Sequence, residues 1–214
     1  PSPAMMPFED VLIQLIDTPP ITTDFLDPVT QSLVRGADLI LLLVDLGSDD
    51  CAENVRDVVE RLKQTKTDLG RSSFLDENDV GRSTTRTFAV MNKCDLAEYT
   101  DRLDWLNEIY PLPFETFQIS AIQPSSLETL KLAIFEALEV VRVYTKAPHQ
   151  KEPDLENPFT VMRVGTVADI AQLIHRDVAN NLKHARVWGA EIHDGTTVKG
   201  DYILHDKDIV ELHL

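Results

Sequence analysis

Three short apolar runs, Val11 to Ile16, Leu39 to Val44 and Phe88 to Met91, are continuous enough to be buried on both faces, and each hands the chain to polar residues at its end. A weaker fourth runs from Glu115 to Ile119. Runs this uniform belong in a sheet covered by helices on both sides, which excludes most half-solvated β architectures. Helical periodicity fills the intervals. Val55, Val58, Val59 and Leu62 share one stripe, as do Leu127, Leu130, Ile134 and Leu138, with Ser125 and Glu128 spaced as a capping box ahead of the second. Strand and helix in alternation predict an α/β domain with a mainly parallel sheet.

Between Thr67 and Arg86 the pattern lapses into Gly, Ser, Asp and Thr, which predicts a surface excursion. From Tyr144 to Pro158 Lys, Pro, Glu and Asp dominate, the composition of a linker. A second pattern then begins with a strand, Phe159 to Val164. A helix follows with Val167, Ile170, Ala171, Ile174 and Val178 on its core face, opened by Thr166 and Asp169 as a capping box. Short strands are predicted around Arg186 to Trp188, Thr197 to Val198 and Ile209 to Leu212, with Asp194-Gly195 as a tight turn. The chain thus reads as a first domain over residues 1–145, a linker over 146–157 and a small α+β domain over 158–214.

A formal charge of −16 disfavours a broad phosphate-binding face, because such faces gain affinity by releasing counterions from clustered Lys and Arg. Most of the acidic excess lies before residue 158. Cys51 and Cys94 are the two cysteines, far apart and without metal-knuckle spacing, so a reducing, cytoplasmic location is expected. No apolar run reaches the roughly 20 residues of a membrane span, and no signal peptide is visible.

In an open parallel sheet, ligands bind beyond the carboxyl ends of the strands. Here those ends carry Asp17-Thr18-Pro19-Pro20, Asn92-Lys93-Cys94-Asp95 and Ser120-Ala121. The tetrad has a chemical use. A carboxylate such as Asp95 can accept from both the N1–H and the 2-amino group of guanine, a donor pair that adenine does not offer. Asn92 can brace the loop, the stem of Lys93 can lie along the base, and the Ala121 N–H can donate to the guanine carbonyl. Charge-assisted bonds of this kind contribute roughly 1.5–3 kcal/mol each, enough to decide base identity.

In this order, Asp-x-Pro, Asn-Lys-x-Asp and Ser-Ala, residues 10 to 141 resemble the later two-thirds of a translation-factor-class GTPase domain. The details resemble the Obg family, in particular its DRG branch: "PAMM" at 3 to 6 is similar to the Pro-Gly-Met-Met-type segment before the Asp strand, and "VRGADLILLLVD" to the strand that follows. "PFTVMRVGTVADIAQLIHRDVANNLKHARVWG" resembles a TGS domain, a ubiquitin-like β-grasp module, and a G domain followed by a C-terminal TGS domain is the DRG arrangement. The resemblance implies a partial P-loop GTPase fold that binds GTP or GDP with Mg²⁺. It implies Asp17 as the metal-side aspartate, Asn92, Lys93 and Asp95 as the guanine-specificity residues, and Ser120 with Ala121 as the second base-contacting motif. It further implies contact with ribosomes or RNA through the TGS domain.

Two departures qualify that picture. Where the family has Asp-x-x-Gly, this chain has Pro20, which has no N–H for a γ-phosphate and a φ fixed near −65°. Ile21 stands where many GTPases carry a water-orienting glutamine, so slow intrinsic hydrolysis is expected. The second departure is larger: no G-x-x-x-x-G-K-[ST] loop occurs, and Gly195 to Gly200, followed by Asp201, lacks the lysine. The segment that would hold that loop would also hold the family's central strand, whose loss would leave two apolar edges unpaired. The chain is therefore expected to be a piece of a longer protein, or else to close the gap by direct strand pairing. The alternative in function is a non-catalytic interaction protein in which a degenerate nucleotide domain carries the TGS module to RNA or a protein partner.

Overall fold

The computed structural model describes all residues from Pro1 to Leu214, in two compact units: residues 1–4 with 14–137, and residues 5–13 with 138–214. At the start, β1 (Ser2–Phe8) and β2 (Val11–Asp17) form a two-stranded hairpin through Glu9 and Asp10, with Glu9 in the left-handed region at φ 48°. Expected within the parallel sheet, β2 pairs with β1 alone and leaves Leu12 64% exposed. A two-residue turn supplies β2 with a neighbour at once, whereas parallel pairing needs a long crossover. The direct closure of the gap is not seen.

α1 (Pro28–Gly36), which the apolar pattern does not announce, starts at Asp27. That carboxylate accepts from the Val29 and Thr30 N–H groups at 3.0 Å each, and Pro28 takes the first position, where a missing N–H costs nothing. β3 (Ile40–Asp45) then runs parallel to β6 (Ser83–Asn92), in register from Ile40 opposite Thr87 to Asp45 opposite Asn92. β7 (Thr116–Gln118) adds a parallel strand against Ala89–Met91.

The expected surface excursion at 67–86 is strand at both ends, with turns and bends on the surface between them. β4 (Thr67–Gly70) lies parallel and β5 (Phe74–Leu75) antiparallel to the first half of β6, which begins five residues earlier than its apolar part. Ser83, Thr85 and Thr87 are all at most 4% exposed. The Thr85 hydroxyl donates to the Val34 carbonyl at 3.0 Å and that of Thr87 to the Thr85 carbonyl at 2.9 Å, so hydrogen bonding lets these two threonines line a buried strand, while the Ser83 hydroxyl is buried without a partner.

α2 (Cys51–Gln64) buries Val55, Val59 and Leu62 as its spacing predicts. With α3 (Tyr99–Ile109) it covers one sheet face, where Leu42, Val44, Leu46, Ala89, Met91 and Leu106 form a single core. α4 (Glu128–Ala137) is entered through a 3₁₀ turn, Pro124–Leu127, rather than the expected Ser125/Glu128 box. The tighter turn places Ser126 under the preceding loop, where its hydroxyl accepts from the Ser120 N–H at 3.0 Å.

The second unit contains β8 (Val140–Thr145), β9 (Asp154–Met162), α5 (Val167–Ile174), α6 (Arg176–Asn181), β10 (His184–Gly189), β11 (Ile192–Val198) and β12 (Asp208–His213). The strand order is β11-β10-β12-β8-β9, with the parallel pair β12 and β8 inside and antiparallel strands around it. One helix across this mixed sheet is a β-grasp arrangement: Val143, Val167, Ile170, Ala185, Val187 and Val210 are all 0% exposed. The Thr166/Asp169 capping box is present at α5. Val178 falls on α6, beyond a break at His175, and not on α5.

Two boundaries differ from the sequence reading. β8, assigned from composition to the first domain, pairs with β12 and β9, so this sheet begins before the predicted linker. Asp194-Gly195 lies inside β11, and the turn falls at 190–191. The unit also includes residues 5–13. The Arg142 guanidinium, 4% exposed, donates to Asp206 at 2.6 and 3.0 Å, to Asp10 at 2.9 Å and to Glu9; the Tyr144 hydroxyl donates to Asp10.

Candidate functional site

The carboxyl ends of β3, β6 and β7 are level because the register aligns Asp45 with Asn92 and Met91 with Gln118. Main-chain bonds continue past the strands. Leu46 N–H donates to the Asn92 carbonyl at 3.2 Å, Ile119 N–H to the Met91 carbonyl at 2.8 Å, and Cys94 N–H to the Ile119 carbonyl at 3.1 Å. The loops after β6 and β7 are thus laced together before any side chain is counted.

Side chains complete the join. Asn92 Oδ1 accepts from the Lys93 N–H at 2.8 Å and from the Ala121 N–H at 3.1 Å, so one amide braces both loops. Lys93 takes φ 69°, a left-handed conformation uncommon for a residue with a side chain and typical of functional loops. Ser120, 2% exposed, donates its hydroxyl to Asp95 Oδ1 at 2.5 Å, while Asp95 itself is exposed. One carboxylate oxygen of this exposed residue is held and the other makes no hydrogen bond. The Ala121 N–H, expected to face a purine carbonyl, is engaged by Asn92. The half-buried Cys94 has its thiol 3.3 Å from the Met91 carbonyl, and burial pushes that thiol up from its ordinary pKa.

Five of the six expected site residues, Asn92, Lys93, Asp95, Ser120 and Ala121, therefore stand in one hydrogen-bonded cluster. Asp17 does not join it. It ends β2 on the hairpin, exposed, with no hydrogen bond or ion pair. No group of three or more His, Cys, Asp or Glu side chains is arranged to hold a metal ion. A cation beside Asp17 would have to take most of its ligands from elsewhere.

Two participants escaped the sequence reading. Asp45 closes β3 and receives the Lys93 ammonium at 2.8 Å, and Ser126 supports Ser120 from the 3₁₀ turn. The Asp was visible as the terminal residue of an apolar run, in the same position as Asp17 and Asn92. Ser126 carried no comparable signal.

The chain thus joins an α/β unit with polar loops gathered at its strand ends to a β-grasp unit. Comparison with known proteins agrees. Residues 141–214 match the TGS domain family, and the C-terminal unit is a TGS domain. The chain is 26% identical to an uncharacterized GTP-binding protein of Methanocaldococcus jannaschii over 98% of its own length and 68% of the relative's. It is 30% identical to an uncharacterized GTP-binding protein of Schizosaccharomyces pombe over 76% of its length and 43% of the relative's. Developmentally-regulated GTP-binding protein 1 of Xenopus laevis is 28% identical over 69% of the chain and 39% of the relative. The chain thus spans about two-fifths of the last two. The fold is similar to that of the S. pombe YchF GTPase, with TM-score 0.53 over 87% of this chain and 75% of that one at 12% identity. The relatives this chain matches are named GTP-binding proteins, among them developmentally-regulated GTP-binding protein 1, and its residues 141–214 match the TGS domain.

Proposed function

We propose that this chain is the base-recognising and TGS-bearing part of a cytoplasmic GTP-binding protein of the Obg/DRG type. The observation that carries the reading is the Asp95 carboxylate: Ser120 fixes one oxygen, the other is open, and the loops around it are locked by Asn92. An acceptor so placed suits the paired N–H donors of guanine. Lys93 would flank the base, and Asp17 would serve the Mg²⁺ that accompanies a nucleotide triphosphate, a cation that neutralises phosphate charge when bound.

The segment supplying a phosphate loop is proposed to precede Pro1 in a longer protein. Three facts support this. β3 pairs with β6 on one edge and with nothing on the other, Leu43 of that strand is 63% exposed, and the hairpin's Leu12 and Ile16 are exposed as well. The eukaryotic relatives are also more than twice as long as the stretch that matches. With Pro20 lacking an N–H and Ile21 unable to orient water, hydrolysis by the intact protein should be slow without a partner group. Both cysteines are free, as suits a reducing compartment, and no helix is long and apolar enough to cross a membrane. The TGS domain would carry the ribosome or RNA contact, which co-sedimentation with ribosomes at graded salt would check.

The deciding experiment is nucleotide titration of the full-length natural protein with GTP, ATP and XTP. Guanine preference is expected, and Asp95→Asn should move it toward xanthine, whose 2-oxo group accepts a hydrogen bond where guanine donates one. A full-length protein that treats GTP and ATP alike would refute the reading and favour a non-catalytic adaptor using its TGS domain.

A further inference from the structure

Asp45 lies in the loop rim but in none of the motifs that define the base site. Its Oδ1 accepts from the Gly47 N–H at 2.8 Å, closing a short turn after β3, and its Oδ2 meets the Lys93 Nζ at 2.8 Å. Lys93 therefore stretches from the β6 loop to the end of β3. Its stem crosses Gly47 so closely that a Cβ built there would stand 2.8 Å from Lys93 Cδ and 3.0 Å from Nζ. The backbone of Lys93 is fixed in the left-handed region by Asn92, so both ends of the side chain are tied down.

We propose that Asp45 is a positioning residue of the base site: it pins the Lys93 ammonium so that the lysine stem lies across Gly47 as a fixed apolar wall against the purine face. The inference rests on the guanine-site reading above. Stability is a poor explanation for the pair. The two side chains are 48% and 53% exposed, and ion pairs in that setting add little to folding. Lysine is also among the side chains that lose most freedom on ordering, so pinning it beforehand lowers the cost of binding a ligand against it. The hydrogen bond from Lys93 holds the Asp45 carboxyl below its usual range, so the pin is charged at neutral pH.

Two substitutions separate this role from a structural one. Asp45→Asn keeps an oxygen for the Gly47 N–H and removes only the charge that holds Lys93. Gly47→Ala keeps both charges and crowds the pin from the other side, because the added Cβ would stand 2.8 Å from Lys93 Cδ and 2.9 Å from Asp45 Oδ1, so the stem and the carboxylate must shift together. In the full-length protein, both should weaken guanosine, GDP and GTP by the same roughly two- to fivefold, the size of one exposed ion pair, with guanine preference retained. In the 214-residue chain without nucleotide, acylation of Lys93 by a water-soluble succinimidyl ester, read by peptide mass spectrometry, should quicken by a similar factor in Asp45→Asn. If Asp95→Asn shifts base preference while both rim variants leave guanosine affinity and Lys93 acylation unchanged, the pin is wrong and the base site stands. A loss confined to GTP would place Asp45 with the phosphates and overturn the proposal too. If Asp95→Asn leaves base preference unmoved, the guanine reading falls and takes the pin with it.

Discussion

The C-terminal sheet runs five strands wide, and its inner face disappears under α5, with Val143, Val187, Val210 and Ile170 wholly buried. The N-terminal parallel sheet closes well on the face under α2 and α3, yet β3 has a strand on one side only, and Leu43, on the opposite face from Leu42 and Val44, is 63% exposed. In both units every strand has a neighbour within the chain, and both leave large apolar side chains exposed, Ile16 and Leu43 in the first and Met162 and Val164 in the second. Open apolar edges are a liability for a sheet, and the longer protein proposed above would cover the one at β3. The contrast is between a five-stranded sheet closed over its helix and a parallel sheet that is open at β3 although its strand-end loops are already joined.

The contrast can be broken hardest at Arg142. It holds Glu9, Asp10 and Asp206 from a buried position, and Arg142→Met leaves three carboxylates without their shared cation. Because those acids are partly exposed, the expected loss is at the low end for a broken buried pair, about 3 kcal/mol, in the unfolding transition of the C-terminal unit. Trp188 reports that transition once Trp105, on α3, is replaced by Phe. A loss below about 1 kcal/mol would mean the unit does not depend on this tie.

Acid should act on the same cluster. Arg142 holds Glu9 below the usual carboxylate range; for Asp10 and Asp206 burial pushes upward, and the bonds from Tyr144 and Arg142 outweigh it. Carboxyls depressed in the folded state contribute stability above their unfolded pKa, near 4, and lose it as pH falls through the folded values. The Trp188-reported midpoint should therefore fall below about pH 4, and less so in Arg142→Met. Asp208 has the opposite sign. Burial raises its pKa, and its Oδ1 has no partner, so its contribution is present at low pH and lost as pH rises through the raised value. Asp208→Asn should remove that upper part of the profile.

Smaller effects sharpen the comparison. Ile170→Val removes one methylene from the closed core and should cost roughly 0.5–1.5 kcal/mol. Leu43→Ser, on the open edge, should stay within about 0.5 kcal/mol in the 214-residue chain. In full-length protein the same change should cost several times more if a strand covers β3 there. Equal costs in the two contexts would remove that expectation.

Much of the site was legible because its parts sit where a strand must end. Asn92 and Ser120 follow apolar runs, and sheet register then brings them together without further instruction. The Thr166/Asp169 box was legible for a similar reason, since capping is decided within four residues. Other elements were hidden by their chemistry. Thr85 and Thr87 read as loop because an apolar count passes over hydroxyls whose hydrogen bonds are made only in the folded sheet. α1 was announced only by Asp27-Pro28, a cap signal that hydrophobic periodicity does not register.

The sequence by itself determined the alternation of strand and helix, the motif at each strand end, and a C-terminal module with its own helix cap, because propensity, periodicity and capping act over a few residues. Only the tertiary structure decided that β2 pairs in a hairpin, that β8 belongs to the C-terminal sheet, and that Asp45 reaches Lys93 across 48 positions and Arg142 reaches Glu9 across 133. Partners that far apart share no local signal. Their meeting depends on register and packing, which are settled only when the whole sheet forms.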